Sequence, residues 1–515
     1  MGRWKGSSTM RESGILMPVF SLPSKFGIGC LDDEAYKFVD FLSNAEQGFW
    51  QVLPLGPTGF GNSPYQPLSA FAGNPYFISP EKLINDGLLT WDDCNCLDFG
   101  SDIERVDYGA IYSNRAGLLR LAYNRFLDRC KDNSELNKEY KTFIKDNDNW
   151  IVDFALYHTI KKQQDNKAWF EWEDKYRLRD KKALDEVLSD NAEYIDFIYF
   201  RQFMFMKQWE ALHEYAKSKN VKIIGDLPFY VSLDSADVWQ HPEVFLLDKD
   251  LVPKVVAGCP PDAFSTTGQM WGNPIYDWAT LKTSGYKWWI DRIKRNQELF
   301  DVIRIDHFHG FAEYYAIPYG AENAVNGKQE KGPGLDFFKA LEKALGRVDL
   351  IAEDLGTVTK DNEALLTETG IPGMKVLQYA FTSWDSKYLT HRHEVNSVVY
   401  TGTHDNIPSR AWIEDIEDGH RDFTRRYLNS KNTDFGGLVW DFIREAYRSC
   451  AKLCIIPLQD YLVKGREARI NCPGTMDGNW EWRLVPNFLS NELAMSIREM
   501  VETYGRVPVR EENSK

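Results

Sequence analysis

Short apolar runs that end in a polar or Gly/Pro cluster recur along the chain. They are FWQVLPLG (49–56), YFISPEKL (76–83), KIIGDLPF (222–229), VIRIDHFH (302–309), LIAEDLG (350–356), MKVLQYAF (374–381), VVYTGTHDN (398–406) and LCIIPLQDYL (453–462). Each has strand length, and helical stretches such as DEAYKFVDFLSNAE and GLDFFKALEKALG separate most of them. Strands alternating with helices predict a parallel sheet, and eight such units predict a closed (β/α)8 TIM barrel. The gap over 84–221 is too long for one crossover. In it Phe205, Trp209, Leu212 and Ala216 recur at helical spacing, and the charged segment DNKAWFEWEDKYRLRDKKALDEV lies upstream. The pattern predicts a mainly helical insertion growing out of one catalytic domain that spans residues 1–515. About fifty residues follow position 462, too few for a C-terminal β-sandwich of ordinary size.

Within these runs the apolar residues come first and the chemistry last. VIRIDHFH is the sharpest case, because charges on a core strand must be paired or used; burying one alone costs several kcal/mol or more. Arg304 and Asp306 are two residues apart and so share a face. Barrel enzymes carry their sites at the C-terminal strand ends, so Asp226, Asp306, Glu353, His404 with Asp405, and Gln459 with Asp460 converge on one mouth. A cap or a strand-end turn accounts for Asp354 and Asp460. Asp306, Glu353 and Asp405 read together as chemistry, whereas His307 and His309 read equally well as loop hydrogen-bonders. No two His fall at helical ligand spacing beside an acidic third ligand, so no metal or other cofactor is expected. Two carboxylates with divided roles suit glycosidic-bond chemistry, one ionised to attack and one holding a proton for the leaving oxygen. Arg304 is expected to hold the pKa of Asp306 down, and the charge of Asp306 to push that of Glu353 up.

Composition narrows the partners. Hydrophobic residues at 43% and charged residues at 27% describe a globular chain, and a net charge of −15 argues against nucleic-acid or anionic-membrane partners. No apolar run is long enough to span a membrane, and MGRWKGSSTM lacks the apolar core of a signal peptide. Eight scattered cysteines and the absence of an N-x-[ST] sequon fit reduced thiols and a cytoplasmic location. The 17 Trp, 25 Tyr and 30 Phe are numerous enough to include sugar platforms as well as core, which composition alone does not separate.

At these residues the sequence resembles the amylomaltases, or 4-α-glucanotransferases, of glycoside hydrolase family 77, a family related to the α-amylases. The resemblance runs from SGILMPVFSLPSKFGIG (13–29) to LQDYLVKGREARINCPGTMDGNWEWR (458–483). Between them lie GFGNSPYQPLSAFAGNPY, GDLPFYVSLDSADVW, PPDAFSTTGQMWGNPIYDW, RIDHFHGF, AEDLG, PGMKVLQYAF and GTHDN. It implies a barrel without a C-terminal β-sandwich. The implied activity is transfer of α-1,4-glucan segments from maltooligosaccharide, starch or glycogen chains to an acceptor glucan or glucose. It further implies Asp306 as nucleophile, Glu353 as general acid/base and Asp405 as transition-state stabiliser. Arg304, His404 and Asp226 would support the donor sugar; Tyr65, Ser63, Trp271, Asn471, Pro473 and Gly474 match positions at or near the glucan. The chain departs from the family pattern at His309, where Arg is common, and at Cys259, where GVPPD is more usual. Residues 256–278 suit a substrate-covering loop, with Phe264, Trp271 and Tyr276 as platforms. An α-amylase-type hydrolase would share the three carboxylates; a silent glucan-binding protein would use the aromatics alone.

Overall fold

The computed structural model describes residues 11–59, 61–261, 265–356 and 358–509. Among these, twelve strands run in chain order: β1 (Glu12–Leu16), β2 (Phe49–Gln51), β3 (Lys222–Leu227), β4 (Val255–Cys259), β5 (Gln269–Pro274), β6 (Val302–Ile305), β7 (Glu313–Pro318), β8 (Lys328–Lys331), β9 (Leu350–Ala352), β10 (Gly373–Val376), β11 (Ser397–Tyr400) and β12 (Leu453–Pro457). Eight of them close a barrel in the order β1-β12-β11-β10-β9-β6-β3-β2, every neighbouring pair parallel. This is the predicted (β/α)8 architecture.

One of the eight predicted strands is corrected. Residues 76–83 are divided between a 3-10 turn, Pro75–Phe77, and a helix, Pro80–Asn85. Asn74 accepts from the Tyr76 N–H and Ser79 from the Lys82 N–H, each with proline next in sequence. A cap residue followed by proline starts a helix, and proline offers no N–H to a sheet ladder. The eighth barrel strand is β1 instead, a five-residue run broken by Gly14. A Cβ at Gly14 would fall 2.6 Å from the Phe49 Cβ on β2, so glycine there permits the strands to meet.

Alternation sorts the strand residues. Leu16, Phe49, Ile224, Ile351, Val398 and Ile455 belong to one buried cluster inside the barrel. Their sequence neighbours Ile15, Trp50, Ile223, Val399 and Cys454 pack outward with the helical layer. By the same period Asp226 stands on the inner face above Ile224, and Arg304 above Val302.

Helices fill the stretch between β2 and β3, among them Tyr108–Asp132, Ser134–Asp146, Asp148–Gln163, Lys181–Asp190 and Ala192–Ser218. In the last, Phe205, Trp209, Leu212 and Ala216 are all buried, and the Trp209 indole donates to the Leu299 carbonyl at 2.9 Å. Within the segment 256–278, β4 and β5 pair antiparallel in a second sheet of order β5-β4-β7-β8. Phe229, Trp289, Phe311 and Phe337 form a contiguous aromatic cluster beside that sheet, with Phe311 and Phe337 stacked at 4.7 Å. No helix among the described residues is long and apolar enough to cross a membrane.

Gly225, beside Asp226 on β3, has the Phe300 ring where its side chain would be; a Cβ would lie 2.0 Å from that ring. Gly225→Ala is therefore expected to lower unfolding free energy by about 1–3 kcal/mol, as overpacking does. Denaturant unfolding measures this, and adding Phe300→Leu should recover part of the loss because the two sites couple.

Candidate active site

The site is built on the register of two neighbouring strands. Asp226 on β3 pairs with Arg304 on β6. Arg304 Nη1 donates to both Asp226 oxygens, at 2.6 and 2.7 Å, and lies 3.1 Å from Asp306 Oδ1. The Tyr65 hydroxyl donates to Asp226 Oδ2 at 2.8 Å, and Arg304 Nε lies 3.4 Å from the Met374 sulfur. Arg304 and Asp226 are each only 2% exposed, so this ion pair is a true interior pair, whereas the Asp306 side chain keeps 29% of its surface open.

That partition overturns one expectation. Burial pushes Asp306 up, to about 6; Arg304 pulls it down, but Asp226 and Asp405 add negative charge that opposes the pull. Burial is the larger effect, so the pull of Arg304 does not bring Asp306 below its ordinary range.

Glu353 follows β9 as Asp306 follows β6, and the residues before them, Ala352 and Ile305, are register partners. The two carboxylate-bearing residues therefore start about one inter-strand spacing apart, roughly 5 Å. Backbone hydrogen bonds lock the arrangement, from Glu353 N–H to the Ile305 carbonyl and from Phe308 N–H to the Glu353 carbonyl, both 3.0 Å. His307 takes a left-handed conformation, φ 49°, and aims its N–H at Glu353 Oε2 at 2.8 Å; Leu355 N–H donates to Oε1 at 2.9 Å. Burial and the neighbouring charge of Asp306 push Glu353 up to about 7, against the pull of Arg304 and these two N–H groups. Only one proton is then shared between Asp306 and Glu353 near neutrality.

Asp405 behaves oppositely. Burial disfavours its charge, yet the His404 imidazole 3.3 Å away and the Asn471 amide, donating at 2.6 Å, hold it well below the usual carboxylate range. His404 is raised in turn: burial opposes its charge, but Asp405 outweighs burial. The loop that carries both residues is clamped at its two ends by one buried carboxylate. Asp460 accepts from Thr401 Oγ1 at 2.6 Å, from Ser409 Oγ at 2.7 Å and from Ser409 N–H at 2.7 Å. Asp354 is likewise structural, accepting from Met374 N–H at 2.6 Å.

The remaining residues singled out from sequence divide. Tyr65 stacks on His404 at 5.1 Å, and Trp271 on β5 meets His307 edge-on at 5.0 Å. Ser63 accepts from the Tyr65 N–H and so shapes the turn that presents the ring. Pro473 and Gly474 lie on an exposed loop tip, and it is Asn471 that reaches Asp405. Tyr276 is corrected from platform to core: it is fully buried, its hydroxyl donating to the Phe229 carbonyl at 2.8 Å. Phe264 lies outside the described residues. His309 is buried, with Asp354 and Lys387 as its charged neighbours. Trp480, packed 5.7 Å from Tyr65, and Tyr379, whose hydroxyl accepts from the Asn406 amide at 3.1 Å, were missed. Both stand in segments already quoted, NWEWR and VLQYAF, but an aromatic residue there reads equally well as core. Among the described residues no cluster of three or more His, Cys, Asp or Glu is arranged to hold a metal ion.

A closed parallel barrel whose mouth gathers three carboxylates over a buried Arg–Asp pair defines a glycosidic-bond enzyme of the barrel class. The profile of glycoside hydrolase family 77, described as 4-alpha-glucanotransferase, matches residues 17–488, and the chain belongs to that family. A 4-alpha-glucanotransferase of Clostridium butyricum is 43% identical over 492 residues, 95% of this chain and 100% of its own. A chloroplastic/amyloplastic 4-alpha-glucanotransferase of Arabidopsis thaliana is 39% identical, covering 96% of this chain and 86% of its own. The structure of amylomaltase from Streptococcus agalactiae in complex with acarbose superposes with a TM-score of 0.93 at 38% identity, covering 96% of this chain and 100% of that one.

Removing one partner of the buried pair should be costly, because the other charge is left uncompensated. Asp226→Asn is expected to destabilise the fold by about 3 kcal/mol in denaturant unfolding, the low end for such pairs because Asp306 remains beside Arg304. Asp306→Asn, at a partly open side chain, should cost clearly less.

Proposed function

We propose that the protein is a 4-α-glucanotransferase working by retaining double displacement. It would take α-1,4-glucan segments from a maltooligosaccharide, starch or glycogen chain and deliver them to the 4-hydroxyl of another glucan or of glucose. The observation that supports this reading is the register pair Ile305 and Ala352, which starts Asp306 and Glu353 side by side on neighbouring strands, a placement compatible with the close carboxyl approach that a covalent intermediate requires. Asp306 attacks C1 of the donor glucose while Glu353 protonates the departing oxygen. Glu353, now ionised, takes the proton of the acceptor 4-hydroxyl as that oxygen displaces Asp306. Atoms and charge balance over the two steps, and neither a cofactor nor a metal is called for.

Asp405 stays ionised throughout and holds hydroxyls of the distorted donor sugar. His404 supports it through Nε2, which faces Asp405 at 3.3 Å. Arg304 and Asp226 fix the floor, Tyr65 and Trp271 are the platforms, and Ser63, Asn471, Pro473 and Gly474 complete the glucan path. Residues 84–221 serve as a helical insertion subdomain and 256–278 as the cover of the donor site. A cytoplasmic location fits an enzyme of stored or imported glucans. A hydrolase would use the same three carboxylates; the full-length family likeness favours transfer.

Incubation with maltotriose tests the reading. Glucose and longer maltodextrins should appear with total reducing ends constant, whereas a rise in reducing ends would mean hydrolysis. Asp306→Asn should reduce transfer to background, since an amide is no nucleophile; substantial residual transfer would overturn the assignment. The pH profile of kcat/KM should be bell-shaped, its limbs belonging to the Asp306–Glu353 pair together. Below about 6 the nucleophile gains a proton, and above about 7 the pair loses the proton the leaving group needs. A profile flat from about pH 5 to about pH 9 would contradict this pairing.

A further inference from the structure

Away from the carboxylates, a groove of about 640 Å³ lies between the segment that follows β10 and the helix Asp418–Leu428. Ser383, Trp384, His420, Phe423, Arg426 and Tyr427 line it. Its volume falls within the range of small-ligand sites. Trp384 is 76% exposed, the most exposed large apolar side chain among the described residues. An indole left in water on a well-ordered base invites a ligand with an apolar face.

The base is ordered. Phe381 is buried against Trp412, Phe423, Tyr427 and Phe442, which fixes the backbone three residues before Trp384. The Tyr427 hydroxyl is held by Thr390 Oγ1 and His391 Nδ1, both at 2.9 Å. Ser383 is bonded to Asp385. The exposed guanidinium of Arg426 has no hydrogen-bond or ion-pair partner among the described residues. A flat aromatic face flanked by separate hydroxyl, imidazole and guanidinium groups matches a pyranose ring, whose C–H face stacks while its hydroxyls take the donors.

Continuity with the mouth says which sugar. β10 runs into the turn Leu377–Tyr379, and Tyr379, 38% exposed, receives the amide of Asn406 beside Asp405. Trp384 follows five residues later, a path of at most roughly 18 Å. A chain whose reacting end lies at the carboxylates and whose tail passes Tyr379 therefore comes within reach of the groove. We propose that this groove is an outlying binding site for the non-reacting part of a long α-1,4-glucan, with Trp384 as its stacking platform. The site rests on the proposed transferase activity for its ligand. A second contact on the same chain raises the effective affinity for long substrates and leaves short ones unaffected.

Trp384→Ala and Trp384→Phe test it, each compared with the native chain on maltotriose and on soluble amylose, and by retardation in native gels containing glycogen. Trp384→Ala should keep maltotriose turnover and the amylose kcat, raise the amylose KM about threefold to tenfold, the range of one aromatic contact, and lose gel retardation. Trp384→Phe should recover most of both. Unchanged amylose KM and retardation would overturn the proposal. So would an equal fall with maltotriose, which would place Trp384 in the reacting cleft. A native chain inactive on maltotriose would instead overturn the transferase reading, and glycogen retardation would still decide the groove.

Discussion

The site hangs on one buried ion pair, Arg304 with Asp226. Two opposite charges sit inside a barrel whose lower interior is apolar, and each is tolerable only because the other is within 2.7 Å. The register of β3 against β6 puts them opposite each other, so the pair forms only when the barrel closes correctly. Tyr65, from a loop 161 residues upstream of Asp226, donates to the same carboxylate and carries its ring to His404. The floor thus ties a distant loop and two strands to one point.

From that floor the electrostatics of the three carboxylates follow. Because burial, with added negative charge from Asp226 and Asp405, outweighs the pull of Arg304, Asp306 is not driven down to a strongly acidic value, and it competes with Glu353 for a proton. In the proposed mechanism Glu353 serves as acid in one half-reaction and base in the other. Burial and Asp306 favour its protonated form, while the N–H groups of His307 and Leu355 favour its ionised form. A group balanced near neutrality can do both jobs, which is the condition for effective proton transfer in each direction. Asp405 is excluded from the exchange by His404 and Asn471, and so remains a fixed negative charge.

Much of this was legible in the sequence, for identifiable reasons. Alternation with period two puts Ile224 and Asp226 on one face, and likewise Val302, Arg304 and Asp306; strand ends mark Glu353 and His404–Asp405. What failed to read through was tertiary. Nothing local says that closing the barrel desolvates Asp306 and sets Asp226 and Asp405 near it, and the expected direction for Asp306 is therefore reversed. YFISPEKL looks like a strand until Asn74–Pro75 and Ser79–Pro80 are recognised as two capped starts, while ESGIL is too short to outweigh it. The pairing of β4 with β5 and with β7 does not read through either, because the Gly and Pro residues of that segment obscure it.

The wall beside Asp306 bears on transfer against hydrolysis. His307 is held neutral, its pKa pushed down to about 3 by burial and then by His309, and the Trp271 ring covers it edge-on. A neutral, apolar-capped imidazole next to Asp306, the proposed nucleophile, adds no charge of its own to that wall. The opposite side is different: Asp405, hydrogen-bonded to Asn471, presents polar atoms suited to sugar hydroxyls. The glucosyl group of the proposed mechanism would therefore lie between an uncharged aromatic wall and a hydrogen-bonding one. Under the proposed double displacement such an asymmetry favours a bound acceptor sugar over water, the condition under which transfer outruns hydrolysis.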